Sequence, residues 1–148
     1  MLSIVVKSFE ELSKLELYKI LRLRAEVFIV EQNCVYQDID NKDQKAHHVI
    51  LLKDECIIGY TRIFNPGDYF NEASIGRVVI SEKERHNNYG SDLMKTSINF
   101  IHNQLQEQVI KISAQCYLEK FYKGLGFISK GESYLEDGIP HVAMILKQ

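Results

Sequence analysis

The chain has 148 residues, 45% hydrophobic and 26% charged, with a formal net charge of −2. That length normally makes one domain with a proper core, here residues 1–148, and the balance is that of a soluble globular protein. The slight negative charge argues against a nucleic-acid partner, and no apolar run approaches the roughly 18 residues a membrane span needs.

The N-terminus, Met1-Leu2-Ser3-Ile4-Val5-Val6, lacks the basic start of a signal peptide and reads as a strand over 2–7. Over 10–30, Leu12, Leu15, Tyr18, Leu21, Ala25 and Phe28 recur at spacings of three and four, which predicts a helix with that apolar face. Ser8 or Ser13 can cap it, and Glu10, Glu11 and Glu16 suit its N-terminal end. Residues 31–46 are polar and punctuated by Asn33, Asp38, Asp40, Asn41 and Asp43. A loop of that length inside a compact domain is often functional.

Strands are expected over 48–52, 56–64 and 74–80, with a turn at Asn65-Pro66-Gly67-Asp68 before the third. A helix over 89–104 would bury Leu93, Met94, Ser97, Ile98 and Ile101, with Leu105 just beyond. A strand over 109–114 follows, then a short helix over 117–125 stopped by Gly126. An extended segment begins at Phe127, and a turn at Asp137-Gly138 leads to a last strand over 141–146. The order implies a mixed sheet covered by helices, an α+β fold.

Cys34, Cys56 and Cys116 are odd in number and lack CxxC spacing. This favours a reducing, cytoplasmic compartment over a disulfide framework or a structural zinc site. Each is read as a small buried hydrophobe. Asp38-x-Asp40 begins like a calcium loop, but Lys42 stands where a third ligand belongs and no glycine follows, so no metal is expected. A hydrolase elbow, GxSxG, is absent.

Arg85-His86-Asn87-Asn88-Tyr89-Gly90 joins the strand ending at Ile80 to the helix beginning near Tyr89. A turn there aims backbone N–H groups outward, where an anion can bind. Its spacing is Arg or Gln, two residues, Gly, one residue, Gly or Ala, with Asn88 at the first glycine. Asparagine is the non-glycine residue best suited to a left-handed turn. The plainer reading is a surface helix capped by Asn87 or Asn88. Downstream lies Phe121-Tyr122-Lys123-Gly124-Leu125-Gly126-Phe127, a pattern F-Y-x-x-x-G-F on a short helix.

Together these segments resemble the pyrophosphate loop and the tyrosine helix of the GNAT superfamily of N-acyltransferases. The stretch Phe28 to Asp40, the pair His47-His48, and Glu136 to His141 are similar to its ElaA branch. The resemblance implies a mixed, largely antiparallel sheet of six to seven strands flanked by about four helices. It implies acetyl-CoA as cosubstrate. Arg85 and the amides of His86, Asn87, Asn88, Tyr89, Gly90 and Ser91 would meet the pyrophosphate. The backbone of Val78, Val79 and Ile80 would meet the pantetheine and the thioester oxygen. Gln115 occupies the place where many members have Asn.

Amine attack on a thioester needs a base, an oxyanion donor and an acid for the departing thiolate, whose thiol has a pKa of roughly 8.5. Tyr122 is the expected acid, with a core tyrosine as its structural alternative. Glu31 or His48 is the expected base, with His141 and Asp40 behind them and a water relay as the alternative. His48 suits by its near-neutral titration, although His47 and His48 must point to opposite faces.

The loop carboxylates Glu31, Asp38, Asp40 and Asp43 would form an acidic rim that favours a cationic amine. Read plainly, they cap turns in a solvated loop. Arg77, on the central strand, would need one of them as a partner if buried. The acceptor is expected to be a primary amine on a small molecule or peptide, and the last strands allow a homodimer without requiring one. The competing reading is a non-catalytic CoA-binding module, or a structural protein of the same fold.

Overall fold

A computed structural model describes residues 1–148. Seven strands and three α-helices follow one another as β1 (Leu2–Ser8), α1 (Lys14–Arg24), β2 (His47–Lys53), β3 (Cys56–Phe64), β4 (Ala73–Ile80), α2 (Tyr89–Asn99), β5 (Val109–Gln115), α3 (Glu119–Gly124), β6 (Ile128–Glu136) and β7 (Ile139–Lys147). They form one sheet in the order β1-β2-β3-β4-β5-β7-β6. Every neighbouring pair is antiparallel except β4 and β5. The exception follows from α2, because only a crossover helix returns the chain to run parallel. The mixed, largely antiparallel sheet has the expected number of strands, with three α-helices where about four were expected.

Both long helices run into π-helical turns, Ala25–Glu31 after α1 and Phe100–Gln104 after α2. Ser13, not Ser8, caps α1. Its Oγ accepts the Glu16 N–H at 3.0 Å, and the Glu16 carboxylate accepts the Ser13 N–H at 2.8 Å. The apolar face expected for this helix is corrected. Leu15 and Tyr18 are 60% and 69% exposed, while Ile20, Leu23, Val27 and Phe28 are buried with Arg24 sealed among them. The turn that would have been counted as polar faces inward because Arg24 has ionic partners there.

Alternation along the strands divides the interior in two. Leu93, Met94, Ile98 and Ile101 pack with Ile63, Ile75, Ile110, Ile112, Val142 and Met144 on one face of the sheet. On the other, Ile20, Leu23, Val27 and Phe28 pack over Ile50, Tyr60 and Val79. Ile110, Ile112 and Ala114 of β5 point into the first core. Ser113 and Gln115 therefore point to the α1 side, and His141, paired with Gln115, joins them.

Two irregularities in β4 position the site. The strand pairs with β5 only at Ala73–Ile110 and Ser74–Lys111, then the two diverge. It also bulges against β3. Tyr60 faces Val79 and Arg62 faces Gly76, which leaves one extra residue between, and Arg77 takes a left-handed φ of 50°. No helix is long and apolar enough to cross a membrane.

Candidate active site

A cleft of about 400 Å³ opens where β4 and β5 part. Gly76 to Ile80 form one wall, and Ser113 and Gln115 line the opposite side. Phe121 and Tyr122 approach from α3, Phe28 and Glu31 from the π turn after α1, and Glu136 and His141 from the β6–β7 hairpin. Phe64, Tyr69 and Phe70 add an aromatic end. Beyond Ser74 the edge of β4 that faces β5 has no ladder partner. A strand edge left open beside a cleft offers amide N–H and C=O groups to an extended ligand.

The loop after β4 is built around left-handed residues. His86 has φ 70° and Asn88 φ 62°, ψ 15°. Asn88 precedes α2 without a side-chain cap, so the plain capping reading does not hold and the first N–H groups of α2 stay open to an anion. Asn87 turns its amide back onto the Glu84 carbonyl at 3.1 Å. Gly90 lines the cleft, and a Cβ there would stand 3.6 Å from the Phe121 ring. Arg85 fastens the loop at both ends. Its Nε donates to the Ile80 carbonyl at 3.1 Å, and its two terminal nitrogens donate to the Glu31 carboxylate at 2.6 and 2.9 Å. His86, Asn87, Asn88, Tyr89 and Ser91 stand around the helix start rather than in the cleft wall.

Tyr122 is 5% exposed and packs edge-on against Phe121 and Phe127, with ring centroids 5.1 and 6.0 Å away. Burial pushes its phenol above the ordinary tyrosine range, with Tyr117 adding to the effect, and no hydrogen bond opposes the shift. The hydroxyl therefore stays protonated at neutral pH and is free to donate. Gln115 lines the cleft beside Gln32, the two amides 3.4 Å apart.

The acidic rim expected from the loop is corrected. Asp38 and Asp43 are 6% and 5% exposed and belong to a buried ionic network. Arg24 donates to Asp38 at 3.0 Å and to Asp43 at 2.8 Å. Arg62 donates to Asp40 and Asp43, each at 2.9 Å. Arg77 donates to Asp38 at 2.7 Å and reaches Asp40 at 3.4 Å. Three guanidiniums thus neutralise three carboxylates, and the loop presents no free negative charge from them. Burial alone would raise Asp40 and Asp43, but Arg62, and Arg24 for Asp43, hold both below the usual carboxylate range. The network clamps the loop to α1, β3 and the β4 bulge, and so shapes the cleft through Arg62 and Arg77, which line it.

Neither residue expected as the base stands free. His48 is fully buried and does not line the cleft. Its Nε2 donates to the Asp43 carbonyl at 2.9 Å, which leaves Nδ1 to accept from the Tyr60 hydroxyl. Burial pushes its pKa down, against the pull of that carbonyl, and it stays neutral. Glu31 does line the cleft, but both its oxygens are committed to Arg85.

A polar cluster on β5, β6 and β7 was not assembled from the sequence. Ser113 Oγ donates to Glu136 Oε1 at 3.2 Å and also pairs with the Tyr134 hydroxyl. Glu136 Oε2 lies 3.5 Å from His141 Nε2. His141 Nδ1 donates to the Ile139 carbonyl at 2.7 Å. It is assembled by the strand register, which sets Ser113 and His141 on the same face two residues apart. The aromatic end made by Tyr69 and Phe70 left no sequence signal, since loop aromatics follow no period.

Residues 10–148 match the acetyltransferase (GNAT) domain. Protein ElaA of Escherichia coli is 40% identical over 136 residues, which cover 90% of this chain and 89% of that protein. The crystal structure of Escherichia coli ElaA superposes with a TM-score of 0.91, covering 99% of this chain and all of that one. An acyl-CoA N-acyltransferase from Pseudomonas aeruginosa is 35% identical, with a TM-score of 0.91 over 97% of this chain and 99% of that one. The cleft between the parted strands and the loop closed by Gly90 therefore sit in a chain that belongs to the acetyltransferase (GNAT) family.

Proposed function

We propose that the protein is an N-acetyltransferase that moves an acetyl group from acetyl-CoA to a primary amine by direct attack, both substrates being bound together. The parting of β4 from β5 is the observation that carries this reading. It opens the cleft and leaves the β4 edge that faces β5 without a ladder partner beyond Ser74, so along Val78, Val79 and Ile80 the backbone groups turned to that edge are available to an extended ligand and to an oxygen that gains negative charge. Acetyl-CoA supplies a thioester, whose C–S bond is exchanged for a C–N bond. The open N-terminus of α2, with the amides of His86 to Ser91, is the place for its pyrophosphate. Arg85 holds that loop in shape through Ile80 and Glu31. Tyr122 stands as the proton donor to the leaving sulfur. A protein from Elizabethkingia anophelis that shares the fold, at 14% identity and a TM-score of 0.71, was solved with acetyl-CoA bound. The odd number of cysteines and their lack of CxxC spacing support a reducing, cytoplasmic setting.

The loop assignment is tested at Asn88. A β-branched residue pays roughly 1–2 kcal/mol or more to hold a left-handed φ, and glycine pays none. Asn88→Val is expected to weaken acetyl-CoA binding about tenfold or more, measured by calorimetry, because the turn must open. Asn88→Gly should bind as the parent does. Equal affinity in all three proteins would remove the pyrophosphate from this loop.

A further inference from the structure

The charges around the cleft are matched everywhere except at one end. Glu31 is paired with Arg85, and the loop aspartates with Arg24, Arg62 and Arg77. Glu136 and Asp137, at the β6–β7 hairpin, also line the cleft, and neither has a lysine or arginine within salt-bridge reach. The unbalanced negative charge of the site therefore lies opposite the loop where the sequence placed it.

His141 makes this end more than an acidic patch. Its side chain is 8% exposed, and Nδ1 holds its proton against the Ile139 carbonyl. In the neutral ring Nε2 then carries a lone pair and takes no hydrogen bond. That lone pair faces Glu136 Oε2 at 3.5 Å. Two acceptors facing one another across that gap lack the donor that would satisfy both, and an ammonium group is such a donor. Both are held for the purpose. Ser113 fixes the other Glu136 oxygen, and the Tyr134 ring stacks on His141 with centroids 6.2 Å apart at 22°.

Resting on the acetyltransferase reading, we infer that Glu136 and His141 form the acceptor subsite, which binds a cationic primary amine and takes its proton. The ammonium donates to Glu136 Oε2 and His141 Nε2. Its N–H bond breaks toward Nε2, and the electron pair stays on nitrogen as the nucleophile. The imidazolium formed is stabilised by Glu136, and its proton leaves to solvent when the ring resets. The groups around this pair are Asp137 of the hairpin turn and Tyr134 of β6, with the uncharged Ser113 and Gln115 on β5. Cys34 contacts the Asp137 carbonyl from the loop after α1.

The probes are 1,4-diaminobutane, a dication at pH 7, and aniline, which is neutral there, each with acetyl-CoA. Glu136→Gln keeps the size and the Ser113 contact but loses the charge. It should raise the ratio of the diamine KM to the aniline KM about tenfold. His141→Gln should lower kcat for the diamine about 100-fold or more and erase the acid limb of the kcat/KM profile. Without acetyl-CoA, the diamine should move the His141 ring nitrogen resonances in the parent and not in Glu136→Gln. Equal kinetics in both variants, together with an unmoved His141 signal, would overturn the inference while leaving the acetyltransferase reading intact. A parent protein that does not bind acetyl-CoA would defeat that reading and this inference with it.

Discussion

Replacing Asp43 by alanine is expected to cost about 3–5 kcal/mol of stability, because it strands two buried guanidiniums. Asp43 Oδ1 accepts from Arg24 and Arg62 together, and both arginines are almost fully buried. Their remaining carboxylates, Asp38 and Asp40, must then serve three cations. In a domain of this size such a loss lowers the melting temperature by about 10 °C. Asp43→Asn keeps an oxygen at the same place and should recover part of the loss, so the difference between the two variants isolates the charge. Acid provides a second readout. Asp40 and Asp43 titrate lower in the folded chain than in the unfolded one. Their contribution is complete above about pH 4, the unfolded carboxylate range, and is lost as pH falls through the folded values. His48, also depressed by burial, acts in the same direction from about pH 6.5 downward, where the unfolded chain takes up the proton first. Asp43→Ala should flatten the part of the stability profile below pH ~4. Chemical denaturation across pH checks both points, and a variant as stable as the parent would show the network to be dispensable.

Tyr122→Phe is expected to lower kcat by about 10²–10⁴, the range general acids contribute. The phenyl ring keeps the contacts with Phe121 and Phe127, and the hydroxyl it lacks has no hydrogen-bond partner in the protein to lose. Stability and acetyl-CoA affinity should therefore stay near those of the parent. The separation is informative, because a tyrosine that only fills the core would leave kcat where it is. The raised pKa bears on the same point. A phenol held protonated well above neutral pH remains a donor throughout the working range, so the parent rate should not decline between pH 7 and 9 through loss of this proton. Single-turnover thiol release by parent and variant, with the same amine, makes the comparison.

Much of the fold was legible because periodicity and turn chemistry agree along this chain. The span of β3 matches the apolar run 56–64, and α2 with the π turn that follows it buries the face marked by Leu93, Met94, Ser97, Ile98 and Ile101. The left-handed turn at Asn88 could be anticipated from the residue type and its place between strand and helix. What escaped has one physical cause. Charge ordinarily marks the surface, which hides Arg24 as a core position and rotates the face expected for α1. The pairing of Arg77 with a loop carboxylate is legible from its place on the central strand, but Arg24 and Arg62, which reach Asp38, Asp40 and Asp43 across 14 to 22 residues of sequence, carry no such sign, and without them the loop looks like an exposed acidic rim. His48 looked available because a histidine in sequence carries no sign of its partners, which here are Tyr60 and the Asp43 carbonyl. Ser113, Glu136 and His141 meet only through the pairing of β5 with β7 and β7 with β6, a register no local pattern encodes.

Release of free thiol from acetyl-CoA in the presence of primary amines tests the central claim most directly. Thiol should appear only when protein, acetyl-CoA and an amine are all present, with one acetylated amine formed per thiol, and the rate should fall in Tyr122→Phe. Acetyl-CoA that binds but is never turned over on any amine would make the cleft a binding module. Acetyl-CoA that does not bind at all would contradict the account.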